Sequence, residues 1–122
     1  MAKTILIIDD DFEYVESTTA ALQSSGYKII SRENGTMGFD AAKSTSPDLI
    51  ILDVMMRYDS EGLDTVVKLT SDPGTKNIPI LLITGIRHPE DLPVQSESIK
   101  ATLEKPIQPD LLLAAIERVL GK

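Results

Sequence analysis

The chain has 122 residues, a formal net charge of −7 and no cysteine. That length can bury a core without covalent staples, and the missing thiols exclude disulfides, thiolate metal sites and cysteine nucleophiles. The acidic balance, with Lys and Arg scattered, argues against direct nucleic-acid binding, and no apolar run approaches the ~18 residues of a membrane span. The opening MAKTILIIDDD has a single Lys before its acids, unlike a signal peptide. The expectation is one cytoplasmic domain over residues 1–122, without membrane contact.

Along the chain, short apolar runs alternate with segments of helical character. TILIID (4–9) reads as a first strand and residues 12–25 as a first helix. Gly26 stands where a helix C-terminal cap belongs. YKIIS (27–31) is the second strand, and residues 35–46 the second helix. LIILDV (49–54) and residues 61–71 follow as strand and helix, then IPILLIT (78–84) and a helical segment near 89–97. KATLEK (100–105) is the last strand. The last helix covers 109–120, with Pro109 suited to a first turn and Leu112, Ala115, Ile116 and Val119 at helical spacing.

Alternating strands and helices predict parallel strands joined by helical crossovers. Runs one, three and four are apolar throughout, as strands covered on both faces should be. Runs two and five are interrupted by Lys or Glu, which suits edges. The predicted fold is therefore α/β: a flavodoxin-like, doubly wound five-stranded parallel sheet of order 2-1-3-4-5 with helices on both faces. Its ligand site would lie at the carboxyl ends of strands one and three.

Those two ends carry Asp9-Asp10-Asp11 and Asp53. Converging carboxylates repel, and a hard cation with oxygen ligands removes the conflict; Mg2+, with one or two carboxylates and several waters, fits. One Asp before Phe12 would cap the first helix, and Asp11 suits that role, but capping leaves Asp9 and Asp10 unexplained. Strand four ends in Thr84 and strand five in Lys105-Pro106, so a hydroxyl and an ammonium join the same rim. Taken singly, Thr84 could be a turn residue and Lys105 a surface charge.

The sequence resembles the receiver domains of bacterial two-component response regulators, over essentially its whole length. The resemblance rests on IIDDD at 7–11, PDLIILDVMM at 47–56, LLITG at 81–85 and EKPI at 104–107. It implies that Asp53 accepts a phosphoryl group from a histidine kinase or phosphotransfer protein. It also implies that Asp10 and Asp53 ligate Mg2+ directly, Asp9 through water, and Met55 through its backbone carbonyl. Lys105 would pair with the phosphoryl oxygens, Thr84 would hydrogen-bond one of them, and the Lys105–Pro106 bond would be cis. Such a domain is not an enzyme beyond its own phosphoryl transfer and dephosphorylation. It signals through a downstream protein or a fused output domain.

The chain departs from the family pattern in several places, Ser98 and Ile99 in place of the usual small residues among them. Arg57 replaces a Pro and reads as a solvated loop charge, with an extra phosphoryl contact as the alternative. The loop before Gly62 is one residue longer than usual. Thr102 replaces an aromatic switch residue. Pro93 interrupts the fourth helical segment, which should be short, displaced or broken. His88 has no histidine or cysteine partner for a zinc site. Two functions remain: a phosphorylatable receiver, or a degenerate receiver acting as a phosphorylation-independent interaction module. A flavodoxin-like cofactor binder is set aside, because the first turn, DDDFE, would repel a phosphate.

Overall fold

The structure, a computed structural model, describes residues 2–53, 61–84, 98–104 and 107–121, with the backbone alone at 61–63 and 84. In chain order the elements are β1 (Thr4–Ile8), α1 (Phe12–Ser24), β2 (Lys28–Arg32), α2 (Gly35–Thr45), β3 (Leu49–Asp53), α3 (Glu61–Ser71), β4 (Ile80–Thr84), β5 (Ile99–Glu104) and α4 (Pro109–Leu120). The helical segment expected near 89–97, with Pro93 and the neighbouring His88, lies outside the described residues.

The strands form one sheet of order β2-β1-β3-β4-β5, every pair parallel. β3 is buried at each of its positions, and β1 at all but its first, while β2 and β5 hold only half-buried and exposed residues. The polar interruptions of runs two and five thus mark the edges. Two apolar layers cover the sheet. Leu6, Ile8, Ile50 and Leu52 meet α2 and α3 through Ala41, Ala42, Val66 and Leu69. Ile5, Ile7, Leu49 and Ile51 meet α1 and α4 through Leu22, Leu112, Ala115 and Ile116. Alternate residues of a strand point to opposite faces, so a continuous Ile/Leu run feeds both layers. Each such side chain contributes about 1.5–3 kcal/mol on full burial.

Local chemistry sets the helix ends. Asp11 caps α1, its carboxylate accepting from the Tyr14 N–H at 3.1 Å. Asn34 caps α2 in the same way through the Met37 N–H at 2.9 Å. α1 stops at Ser25, and the following Gly26 takes φ 95°, a conformation side chains resist. α2 presents Gly35, Gly38, Ala41 and Ala42 to the sheet. A Cβ at Gly38 would come within 2.5 Å of Ile8 Cδ1, so glycine here permits close approach of helix to strand.

Strand four begins at Ile80, two residues later than the sequence suggests. The Ile78 N–H is engaged in a turn with the Thr75 carbonyl at 3.0 Å, and Pro79 has no N–H to offer a ladder. Strand five begins at Ile99, one residue earlier than expected. Its pairing with β4 steps from Ile80↔Ile99 to Leu81↔Ala101, leaving Lys100 outside the register. Ile99 packs on the α2/α3 side, whereas Ala101 and Leu103 pack on the α1/α4 side. The irregularity inverts the facing of everything after it.

On the α1/α4 side, Tyr27 is almost wholly buried. Burial, and to a lesser degree the Glu117 carboxylate, pushes its phenol above the ordinary tyrosine range. Among the described residues no helix is long and apolar enough to cross a membrane.

Candidate functional site

β1 and β3 are neighbours, with Ile8 paired to Leu52, so the residues that follow each of these positions meet at one rim. Asp9 leaves β1 with its N–H still bonded to the Arg32 carbonyl at 3.1 Å, which carries the ladder with β2 one step past the strand. Its Oδ1 accepts the Asp11 N–H at 2.9 Å. The turn that starts α1 therefore does two things. Asp11 caps the helix with its side chain and orients Asp9 with its backbone. The sequence pointed to the capping, which the structure bears out, but not to the second role. An Asp two residues before another Asp, at a strand-to-helix turn, is the available signal for such a side-chain-to-backbone bond.

Asp53 is the last residue of β3 and pairs with Ile83 of β4. Asp9 and Asp53 are each 3% exposed. Asp10 is half-buried between them and solvent. Ligand atoms of Asp9, Asp10 and Asp53 lie within 4.8 Å of one another. At that separation each ionised pair repels by roughly 3–4 kcal/mol for an effective dielectric of about 20. A nearby positive charge offsets this, and such a carboxylate triad suits a hard divalent cation held through oxygen.

The other expected residues stand as follows. Thr84 closes β4, opposite Glu104 of β5 and one step past the level of Asp53. Thr102 is half-buried in β5 and pairs with Leu82. Met55, Arg57 and the Lys105–Pro106 pair lie outside the described residues. The structure thus brings together the acids of two strands far apart in sequence, with the end of β4 beside them.

The chain matches the response regulator receiver domain family over residues 5–117. It is 34% identical over 124 residues to the phosphate regulon transcriptional regulatory protein PhoB of Pseudomonas aeruginosa, covering 100% of this chain and 53% of the relative. It is 30% identical over 118 residues to protein PilH of the same organism, covering 96% and 97% respectively. The chain therefore spans about half the length of the first relative and nearly all of the second. In fold it is similar to the receiver domain of a sensor histidine kinase from Pseudomonas aeruginosa PAO1, which carries a magnesium ion coordinated in its active site cleft. That match has a TM-score of 0.87 with 19% identity and covers 100% of both chains. With the family matched over nearly its whole length, the chain is a response regulator receiver domain.

Proposed function

We propose that this receiver is a phosphoacceptor in two-component phosphorelay signalling. Asp53 takes a phosphoryl group from the phosphohistidine of a histidine kinase or phosphotransfer protein in the cytoplasm. The result is read through protein contacts, by a separate target or a fused output domain. The observation that carries the reading is the convergence of Asp9, Asp10 and Asp53 within 4.8 Å at the carboxyl ends of β1 and β3. The three acids also fit Mg2+, the ion named for the structural relative above. Asp10 and Asp53 would hold it directly, Asp9 through water, and Met55 through its carbonyl.

In the proposed transfer a carboxylate oxygen of Asp53 forms a bond to phosphorus as the phosphorus–nitrogen bond to the donor imidazole breaks. The electron pair stays on the imidazole. Phosphoryl transfer proceeds through a loose transition state, so Asp53 needs placement more than nucleophilic strength. Its position at the end of a fully buried strand supplies that placement. Asp9, whose Oδ1 accepts the Asp11 N–H, is thereby restrained next to Asp53. Mg2+, when bound, balances the negative charge that accumulates on the carboxylates and the phosphoryl oxygens. Lys105, next in sequence after β5, is assigned to those oxygens as their cation. Thr84 is assigned to donate a hydrogen bond from its hydroxyl to one of them. The chain turns over nothing except its own aspartyl phosphate, and in that sense is not an enzyme.

Thr102 favours a second reading, a receiver that docks its partner without phosphorylation. A threonine offers far less area to bury than the aromatic residue the family pattern places there. The two readings separate on treatment with a small acyl phosphate and Mg2+ followed by intact mass measurement. A single phosphoryl adduct is expected, absent in Asp53→Asn, whose amide keeps the shape of the acid. An undiminished adduct in that variant would remove the assignment of Asp53, and no adduct in the parent chain would favour the second reading.

A further inference from the structure

A cleft of about 460 Å³ opens between α1 and the end of β2, and Asp9 and Asp10 of the carboxylate triad are among its lining residues. Its cause is local. Thr19 and Ala20 of α1 and Ser31 of β2 all line it, and small side chains such as these fill little of the angle between a helix and the edge of a sheet. Val15 and the exposed ring of Phe12 give it apolar walls. The volume falls in the range of small-molecule sites rather than of packing defects.

Charge gives the cleft a sign. Glu16 lines it from α1 and Glu33 from the segment after β2, with Arg32 as the sole base among the lining residues. Arg32 donates to the Ser31 carbonyl at 2.7 Å. Glu16 and Glu33 make no ion pair or side-chain hydrogen bond with any described residue. We propose that this cleft binds a small organic cation with an apolar body, its ammonium or guanidinium between Glu16 and Glu33 and its hydrocarbon part against Phe12, Val15 and Ala20. The complementarity is of both kinds: an apolar hollow for the body, and an excess of carboxylates for the head. The cleft shares Asp9 and Asp10 with the carboxylate triad, but the binding proposed requires neither phosphorylation nor Mg2+.

The test titrates the full chain, free of divalent cations, with 2-phenylethylamine while backbone amide shifts are followed by NMR. 2-Phenylethanol and 3-phenylpropionate serve as neutral and anionic probes of like size. The amine should give saturable shifts at Val15, Thr19, Ala20, Ser31 and Glu33. It should bind more tightly than the alcohol by about two- to fivefold for each carboxylate, as expected of partly exposed ion pairs. The acid should bind weakest. Glu16→Gln with Glu33→Gln should bring the amine toward the level of the alcohol, with Asp9 and Asp10 still in the lining, and leave the alcohol unchanged. Ala20→Leu, an exposed helix position, should block all three probes by filling the hollow. Equal binding of the three probes would overturn the proposal. So would shifts centred away from the cleft, or no saturable shift with the amine.

Discussion

Asp10 differs from its two neighbours in burial, and that difference assigns it a test. Asp9 and Asp53 are closed in by the sheet, whereas Asp10 is half-buried at the rim. A cation held by a few carboxylates and several waters leaves readily, so its effect on stability follows mass action. At ten times its Kd, Mg2+ should stabilise the chain by about 1.4 kcal/mol, a rise in Tm of about 3–6 °C for a domain of this size. Asp10→Ala should abolish that rise, as read by thermal melts with and without the ion. A Mg2+ effect of unchanged size in the variant would place the cation elsewhere. Tyr27 offers a second measurement at this scale. Its phenol holds its proton beyond the ordinary value of 10.0 because burial, aided by Glu117, disfavours the phenolate. The folded state therefore binds the proton more tightly than the unfolded chain. The corresponding stability is intact below the unfolded pKa and is lost as pH rises through the higher folded value. Tyr27→Phe should flatten the alkaline fall in the urea midpoint relative to the parent, while lysine titrations remain common to both. Parallel alkaline profiles would contradict this.

At the scale of elements, α2 is drawn close to β1 through the contact between Gly38 and Ile8. Gly38 meets Ile8, a residue that is fully buried in the sheet just before the acidic turn. Gly38→Val must push α2 away or distort Ile8, and overpacking of this kind costs about 1–3 kcal/mol. Ile8→Ala alone should be destabilising as well, by about 2–5 kcal/mol through the cavity it leaves. Combined, the two changes should cost less than their sum, because the new methyl groups occupy the space the isoleucine vacates. Denaturant melts of the four proteins decide; strict additivity would mean that α2 does not bear on β1 through this pair.

Across the molecule, the order of the strands could be read from composition because burial on two faces leaves its mark. β1 and β3 are uninterrupted runs of Ile and Leu, while Lys28 and Lys100 break the runs that form the edges. The acids at the ends of β1 and β3 were legible for the same reason, since a parallel sheet gathers its strand ends on one side. Other features were not legible, among them the following two. The cleft between α1 and β2 arises from the smallness of Thr19, Ala20 and Ser31, which are distant along the chain and individually ordinary. The start of β4 was misplaced because Ile78 looks like any strand isoleucine, and only its bond to Thr75 shows that it belongs to a turn.

The unpaired Lys100 has a consequence for the length of β5. Ile99 and Ala101 belong to opposite layers, so with Lys100 between them the strand holds one residue more than strict alternation permits. Taking Lys100 out would make the alternation regular while leaving residues 101–104 on their present faces. Taking Thr102 out instead would set Ala101 and Leu103 side by side, and one of the two would have to leave the α1/α4 layer. Two deletions a single position apart should therefore have unequal effects. The chain without Lys100 should melt close to the parent and still accept phosphate at Asp53, and the chain without Thr102 should melt well below it. Along this strand the facing of each residue is counted back from the Glu104 end, and Lys100 is where that count absorbs a change of length.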